Sequence, residues 1–125
     1  MSDKPRGDLT TRTLAMPADQ NPAGDIFGGW VLSQMDIAAG ICSSERAQSR
    51  TVTVSLDSMS FIRPVKVGDI LCVYTEIESV GNTSMDIHVE AWVNRDRSRR
   101  TVKVTEARFR FVALGIDGRP RPVPD

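Results

Sequence analysis

From Ser84 to Val93 apolar and polar residues alternate without a break: Met85, Ile87, Val89, Ala91 and Val93 fall on one side, Asp86, His88, Glu90 and Trp92 on the other. A period of two over that length predicts a strand with one buried face. Ile70–Val80 precedes it across Gly81-Asn82, so the two segments predict a hairpin. Thr101–Leu114 reads as a further long strand, its phase slipping between Val104 and Ala107. Thr51–Ile62 slips too: Val52, Val54 and Leu56 share one phase and Met59 and Phe61 the other, which predicts a β-bulge at Asp57–Ser58. A short strand is predicted at Arg12–Met16.

Between the short strand and the long ones the period changes. ADQNPAGD, residues 18–25, is packed with turn formers, and Pro22 breaks regular structure. A helix is predicted from Phe27–Gly29 to about Arg46. Val31, Leu32, Met35, Ile37, Ala38, Ala39, Ile41 and Cys42 spread over more than one narrow stripe, as in a helix buried on most sides. Such a helix is roughly 28 Å long at about 1.5 Å per residue. Strands of this length reach on the order of 33–47 Å.

One helix and about five strands, mostly consecutive, predict an α+β fold. In it an antiparallel sheet wraps a central helix, the hotdog arrangement. The helix covers only one face, and the exposed sheet edge invites a second subunit, so a homodimer is expected. Residues 1–10 read as a loose N-terminal arm, 11–115 as the domain and 116–125 as an irregular, proline-rich tail.

The chain has 125 residues, enough for one core, and its sixteen basic side chains are balanced by sixteen acidic ones. That balance argues against nucleic acid as a partner. No apolar run approaches the ~20 residues that span a bilayer. The polar N-terminus lacks a signal-peptide core, so a cytoplasmic protein is expected. Cys42 and Cys72 lack metal-ligand spacing and read as reduced thiols of the core or its margin. With His88 the only histidine, no metal site is expected.

Asp36 stands out chemically. Its helical neighbours are Leu32, Ser33, Ala39 and Gly40, and no Lys or Arg lies three or four residues away to pair with it. Such a carboxylate either lies on an exposed strip or points into a cleft, where it can act as a general base. Gly28 and Gly29 at the helix start offer backbone N–H groups suited to an oxyanion, or else mark tight packing. They precede Asp36 by about two turns, ~10–12 Å, so one substrate atom reaches both only if two subunits share the site. Asn21 is a turn residue, or it orients the attacked carbonyl or water. Asp19 and Asp25 read as turn and cap residues. His88 shares a polar strand face with Asp86 and Glu90 and is expected to be exposed or at an interface. Cys42 has no histidine within helical reach to activate it. Arg95, Arg97, Arg99 and Arg100 form either a solvated loop or a phosphate contact.

The stretch RTLAMPADQNPAGDIFGGWVLSQMD, residues 12–36, resembles the signature of YciA-type acyl-CoA thioesterases. The similarity continues through TVTVSLDSMSFIRPVKVGD (51–69), EAWV (90–93) and TEARFRFVAL (105–114). The resemblance implies a hotdog fold, dimers that associate further into tetramers or hexamers, and hydrolysis of acyl-CoA to free acid and coenzyme A without a cofactor. It assigns Asp36 as general base or nucleophile, Asn21 as a polar active-site residue, and Gly28 and Gly29 to the thioester carbonyl. It places Ser58, Met59, Phe61, Arg63 and Pro64 along coenzyme A, with Gly81, Thr83 and Ser84 near it. RDRSRR, residues 95–100, departs from the family in length and charge. Two other readings share the fold. Asp19-x-Asn21-Pro22 partly matches a hotdog enoyl-CoA hydratase, but Gly24 stands where that enzyme has histidine. The other is a non-catalytic acyl-CoA-binding domain.

Overall fold

The computed structural model describes residues 4–97 and 100–125. Strand β1 (Asp8–Leu14) is followed by one 3-10 turn at Pro17–Asp19 and by helix α1 (Gly28–Ala47). Strands β2 (Arg50–Leu56), β3 (Ile70–Val80), β4 (Ser84–Asn94) and β5 (Thr101–Leu114) complete one sheet of order β1-β3-β4-β5-β2. All four pairings are antiparallel. The sheet curls around α1, the hotdog arrangement expected from the sequence. No helix among the described residues is long and apolar enough to cross a membrane.

The alternation along β4 has its predicted consequence: Met85, Ile87, Val89, Ala91 and Val93 are all buried against the helix side. They meet Val31, Met35, Ala38 and Ala39 of α1 in one core with Phe109, Phe111 and Ala113 of β5. The slip in β5 is a bulge. Ala91 pairs with Thr105 and Trp92 with Lys103, leaving Val104 as the extra residue. The helix ends at Gln48 in the left-handed conformation, with φ of 53°.

Four expectations need correction. The first strand starts at Asp8 rather than Arg12, so residues 8–10 belong to the sheet instead of a loose arm. Its polar run is held by pairing with β3, and no apolar period announces it. Residues 1–3 of the expected arm lie outside the described residues. The strand predicted at Thr51–Ile62 stops at Leu56, and its register shift falls between Thr53 and Ser55, not at Asp57–Ser58. His88, expected to be exposed or at an interface, is not exposed even within one chain. Its ring is buried against Glu90, which also accepts the Trp92 N–H, on the sheet face turned away from the helix.

That outer face is covered in part by the segment before β1. The Arg6 N–H donates to Glu90 Oε1 at 3.3 Å, and its guanidinium reaches Glu76 and Glu78 at 2.6 and 2.8 Å. Gly7 makes the crossing possible: φ is +96°, and a Cβ there would lie 2.5 Å from the Thr75 carbonyl oxygen. The C-terminal tail, residues 116–125, is irregular but anchored. Arg121 N donates to Ala113 O and Val123 N to Asn82 O, at 2.9 and 2.8 Å.

In the single chain several apolar side chains of α1 and β2 stay exposed, and the shift between Thr53 and Ser55 puts Val52 on the outer sheet face and Leu56 on the helix face. Ile37 and Ile41 of α1 and Val52, Val54 and Leu56 of β2 are between 38% and 52% exposed. The helix is therefore not buried on most sides within one chain. β2 is also an edge strand, with an unpaired row of backbone groups beside those side chains.

Candidate active site

Asp36 stands in the middle of α1, half-buried, and its Oδ1 accepts a hydrogen bond from Thr53 Oγ1 of β2 at 2.6 Å. The sequence pointed to an aspartate without a cation partner. The structure supplies a neutral donor instead, the Thr53 hydroxyl, which bonds Oδ1. Thr53 was missed because its contact spans seventeen residues. The available signal was Thr51 and Thr53, hydroxyls at alternate positions on the strand after the helix.

The helix start is built by the turn before it. Asn21 Oδ1 accepts the N–H groups of Ala23 and Asp25 at 2.9 and 3.1 Å, so its carbonyl end shapes the turn and its amide nitrogen remains to donate. Asp19 Oδ2 accepts the Met16 N–H at 3.2 Å, the turn role expected of it. Asp25 caps nothing: it pairs with the Lys66 ammonium, while the helix cap is Phe27, without a side-chain cap bond. Gly28 and Gly29 then present the first N–H groups of α1, which have no carbonyl of their own helix to bond. The two glycines differ. A Cβ on Gly28 would meet the Phe61 ring at 3.2 Å, whereas one on Gly29 would meet nothing within 4 Å. Open space therefore begins at Gly29.

Phe61 belongs to residues 57–69, which leave the sheet after β2. Three contacts tie the first part of this segment to the bulged end of β5. Ile62 N donates to Val104 O at 2.7 Å, Thr105 Oγ1 to Ser60 O at 2.7 Å, and Arg63 Nη1 to Lys103 O at 2.8 Å. Ser58, Arg63 and Pro64 are exposed there and Met59 packs partly on the core. One chain thus brings Phe61 and its neighbours to Gly28. Gly81, Thr83 and Ser84 lie elsewhere, at the β3–β4 turn. That turn is bonded to Ala113 and Val123, at the end of the fold where Arg46 of α1 holds the Pro124 carbonyl.

Asp36 and Gly29 remain about two helical turns apart, roughly 10 Å. A single chain therefore keeps the Asp36 carboxylate and the N–H groups of the helix start apart, with exposed apolar side chains on α1 and β2 and an open sheet edge at β2.

Several other titratable groups have structural partners. Burial opposes ionisation of Glu90, but hydrogen bonds from His88, Trp92 and the Arg6 amide outweigh it and hold its carboxyl below the ordinary range. His88, Glu90 and Glu106 could geometrically surround a metal ion, yet the Lys103 ammonium already pairs with both carboxylates. Burial pushes the Cys42 thiol up, away from the thiolate a nucleophile needs. Of the arginine loop, Arg95 is exposed but bound to Asp69, and Arg99 lies outside the described residues.

Comparison with known proteins fits this geometry. Residues 23–99 match the thioesterase superfamily. The chain is 50% identical to the acyl-CoA thioester hydrolase YciA of Salmonella typhimurium, over 99% of this chain and 96% of the relative. The hexameric thioesterase y2039 of Yersinia pestis shares 48% identity and superposes with a TM-score of 0.92, covering 98% and 99% of the two chains. An acyl-CoA hydrolase from Staphylococcus aureus, crystallised with butyryl coenzyme A and coenzyme A, is 30% identical with a TM-score of 0.85, covering 91% and 70%.

Proposed function

The chain belongs to the thioesterase superfamily, and from that membership we propose that it is an acyl-CoA thioester hydrolase whose catalytic carboxylate is Asp36. The observation that carries the residue assignment is the Thr53–Asp36 hydrogen bond. It holds the side chain in one orientation at a surface where a ligand can reach it.

In this reading Asp36 takes a proton from water, or attacks the thioester carbonyl itself, and coenzyme A leaves as the thiol. The N–H groups of Gly28 and Gly29 stabilise the oxyanion, and the Asn21 amide orients the reacting carbonyl or water. Thioester hydrolysis consumes only water, so no cofactor is assigned. The two halves of the site are joined across a homodimer. β2 and the apolar side of α1 form the interface, and the N–H half of one chain faces Asp36 of the other. Ser58, Met59, Phe61, Arg63 and Pro64 then border coenzyme A beside Gly28, while Gly81, Thr83 and Ser84 reach it from the opposite end of the fold. Relatives described as hexameric make a hexamer of three such dimers the assembly proposed for this chain, working in the cytoplasm.

Thiol release from short, medium and long acyl-CoA substrates tests the function. Stoichiometric free thiol and carboxylic acid are expected. Binding of acyl-CoA without thiol release, or hydration of an enoyl-CoA with its thioester intact, would overturn the proposal.

A further inference from the structure

Among the described residues Asp69 is the one aspartate that is almost wholly buried, and it is met by a guanidinium from the β4–β5 loop. Arg95 Nε donates to Asp69 Oδ1 and Nη2 to Oδ2, both at 3.0 Å. The same Nη2 donates to the Pro64 carbonyl at 3.0 Å. Asp69 Oδ2 also accepts the Lys66 N–H at 2.8 Å. A two-pronged pair of this kind fixes direction as well as distance.

What it fixes is the irregular segment on which the N–H half of the site rests. Residues 57–69 lie in no strand. Val65, next to the clamped Pro64, accepts the Ile26 N–H at 2.9 Å, two residues before Gly28. Asp69 O accepts the Ala15 N–H, and Gly68 N donates to Ala15 O, both at 2.9 Å, joining the segment to the chain entering the Asn21 turn. Phe61, three residues before Pro64, lies against Gly28. Held at one end by β5 and at the other by Arg95, this segment touches the helix start from two sides.

We infer that Arg95 is a positioning residue: through Asp69 and Pro64 it sets where the Gly28 and Gly29 N–H groups point, an inference that rests on the hydrolase reading above. A loop outside the site thereby tunes the oxyanion half, and a misplacement of about 1 Å there is enough to cost on the order of 100-fold in rate.

Arg95→Met alone strands a buried carboxylate and is expected to lower stability. The informative variant is therefore Asp69→Asn/Arg95→Met, which removes both charges. It is expected to recover most of the melting temperature lost by Arg95→Met while kcat stays about 10- to 100-fold below wild type, KM changing less than about threefold. Arg95→Lys should restore part of kcat. Wild-type kcat in the double variant at full stability would overturn the inference. Amide hydrogen exchange gives a readout without turnover: residues 26–31 and 58–64 should exchange faster in the double variant, with the C-terminal half of α1 unchanged. Unaltered exchange in both segments overturns the inference whether or not the wild type hydrolyses acyl-CoA. Loss of thiol release by the wild type overturns only the hydrolase reading.

Discussion

Thr53 Oγ1 donates a hydrogen bond to Asp36 Oδ1 at 2.6 Å, linking the middle of the helix to the edge strand that follows it. A hydroxyl bond to a charged group contributes about 1.5–3 kcal/mol, and the bond also selects one carboxylate orientation. Thr53→Val keeps the shape and removes the donor. It is expected to lower kcat by roughly 10- to 100-fold, while Thr53→Ser stays near wild type. Steady-state thiol release measures both; equal activity of the Val and Ser variants would remove Thr53 from the mechanism.

The two glycines at the helix start make opposite demands. Gly29→Ala enters open space and exchanges glycine for a better helix former, so thermal stability should hold or rise slightly. Its methyl group occupies the approach to the N–H donors, so thiol release should fall at least about tenfold. Gly28→Ala meets the Phe61 ring at 3.2 Å and should cost stability unless Phe61 moves. Melting curves and thiol release on the two variants separate these effects. An active Gly29→Ala enzyme would place the thioester elsewhere.

Gly7 is predicted to be a stability residue. With φ of +96° and the Thr75 carbonyl 2.5 Å from the position of a Cβ, Gly7→Ala must displace the segment that carries Arg6 across the sheet. A loss of about 1–3 kcal/mol is expected in denaturant unfolding, with kcat little changed for the molecules that remain folded.

Glu90 gives a pH dependence of known sign. Its folded carboxyl is held below its ordinary value of 4.5, with burial opposed by the hydrogen bonds of His88, Trp92 and Arg6. Its contribution to stability is therefore complete above the ordinary range and disappears as pH falls through the lowered folded value. Melting temperatures of wild type and Glu90→Gln should differ most above the ordinary carboxyl value of 4.5 and converge as pH falls below it through the lowered folded value. A difference that persists at low pH would assign the effect to packing.

Most of the scaffold was legible from period alone. The alternation from Met85 to Val93 gave β4 its buried face, and the slip after Val104 marked a bulge that anchors the Phe61 segment. Asp36 was visible as an unpaired carboxylate in an apolar helix, and the glycines as a helix start. Long-range contacts were not legible. β1 is too polar between Asp8 and Thr11 to declare itself without β3. His88 is buried with Glu90 as its partner, and the Arg6 segment crosses to that same carboxylate, which local patterning does not encode. Arg95 looked like a solvated loop charge because its partner, Asp69, lies 26 residues away.

The central claim is that Asp36 of one subunit works with the glycine N–H groups of another. Asp36→Asn and Gly29→Val are each expected to be inactive. Refolded together from an equimolar mixture, half of the dimers are mixed, and each mixed dimer regains one of its two sites, intact Asp36 from one chain and intact Gly29 from the other. Thiol release should then recover to about a quarter of the wild-type rate. A mixture as inactive as its components would show that each chain must supply both halves itself, and would contradict the shared site.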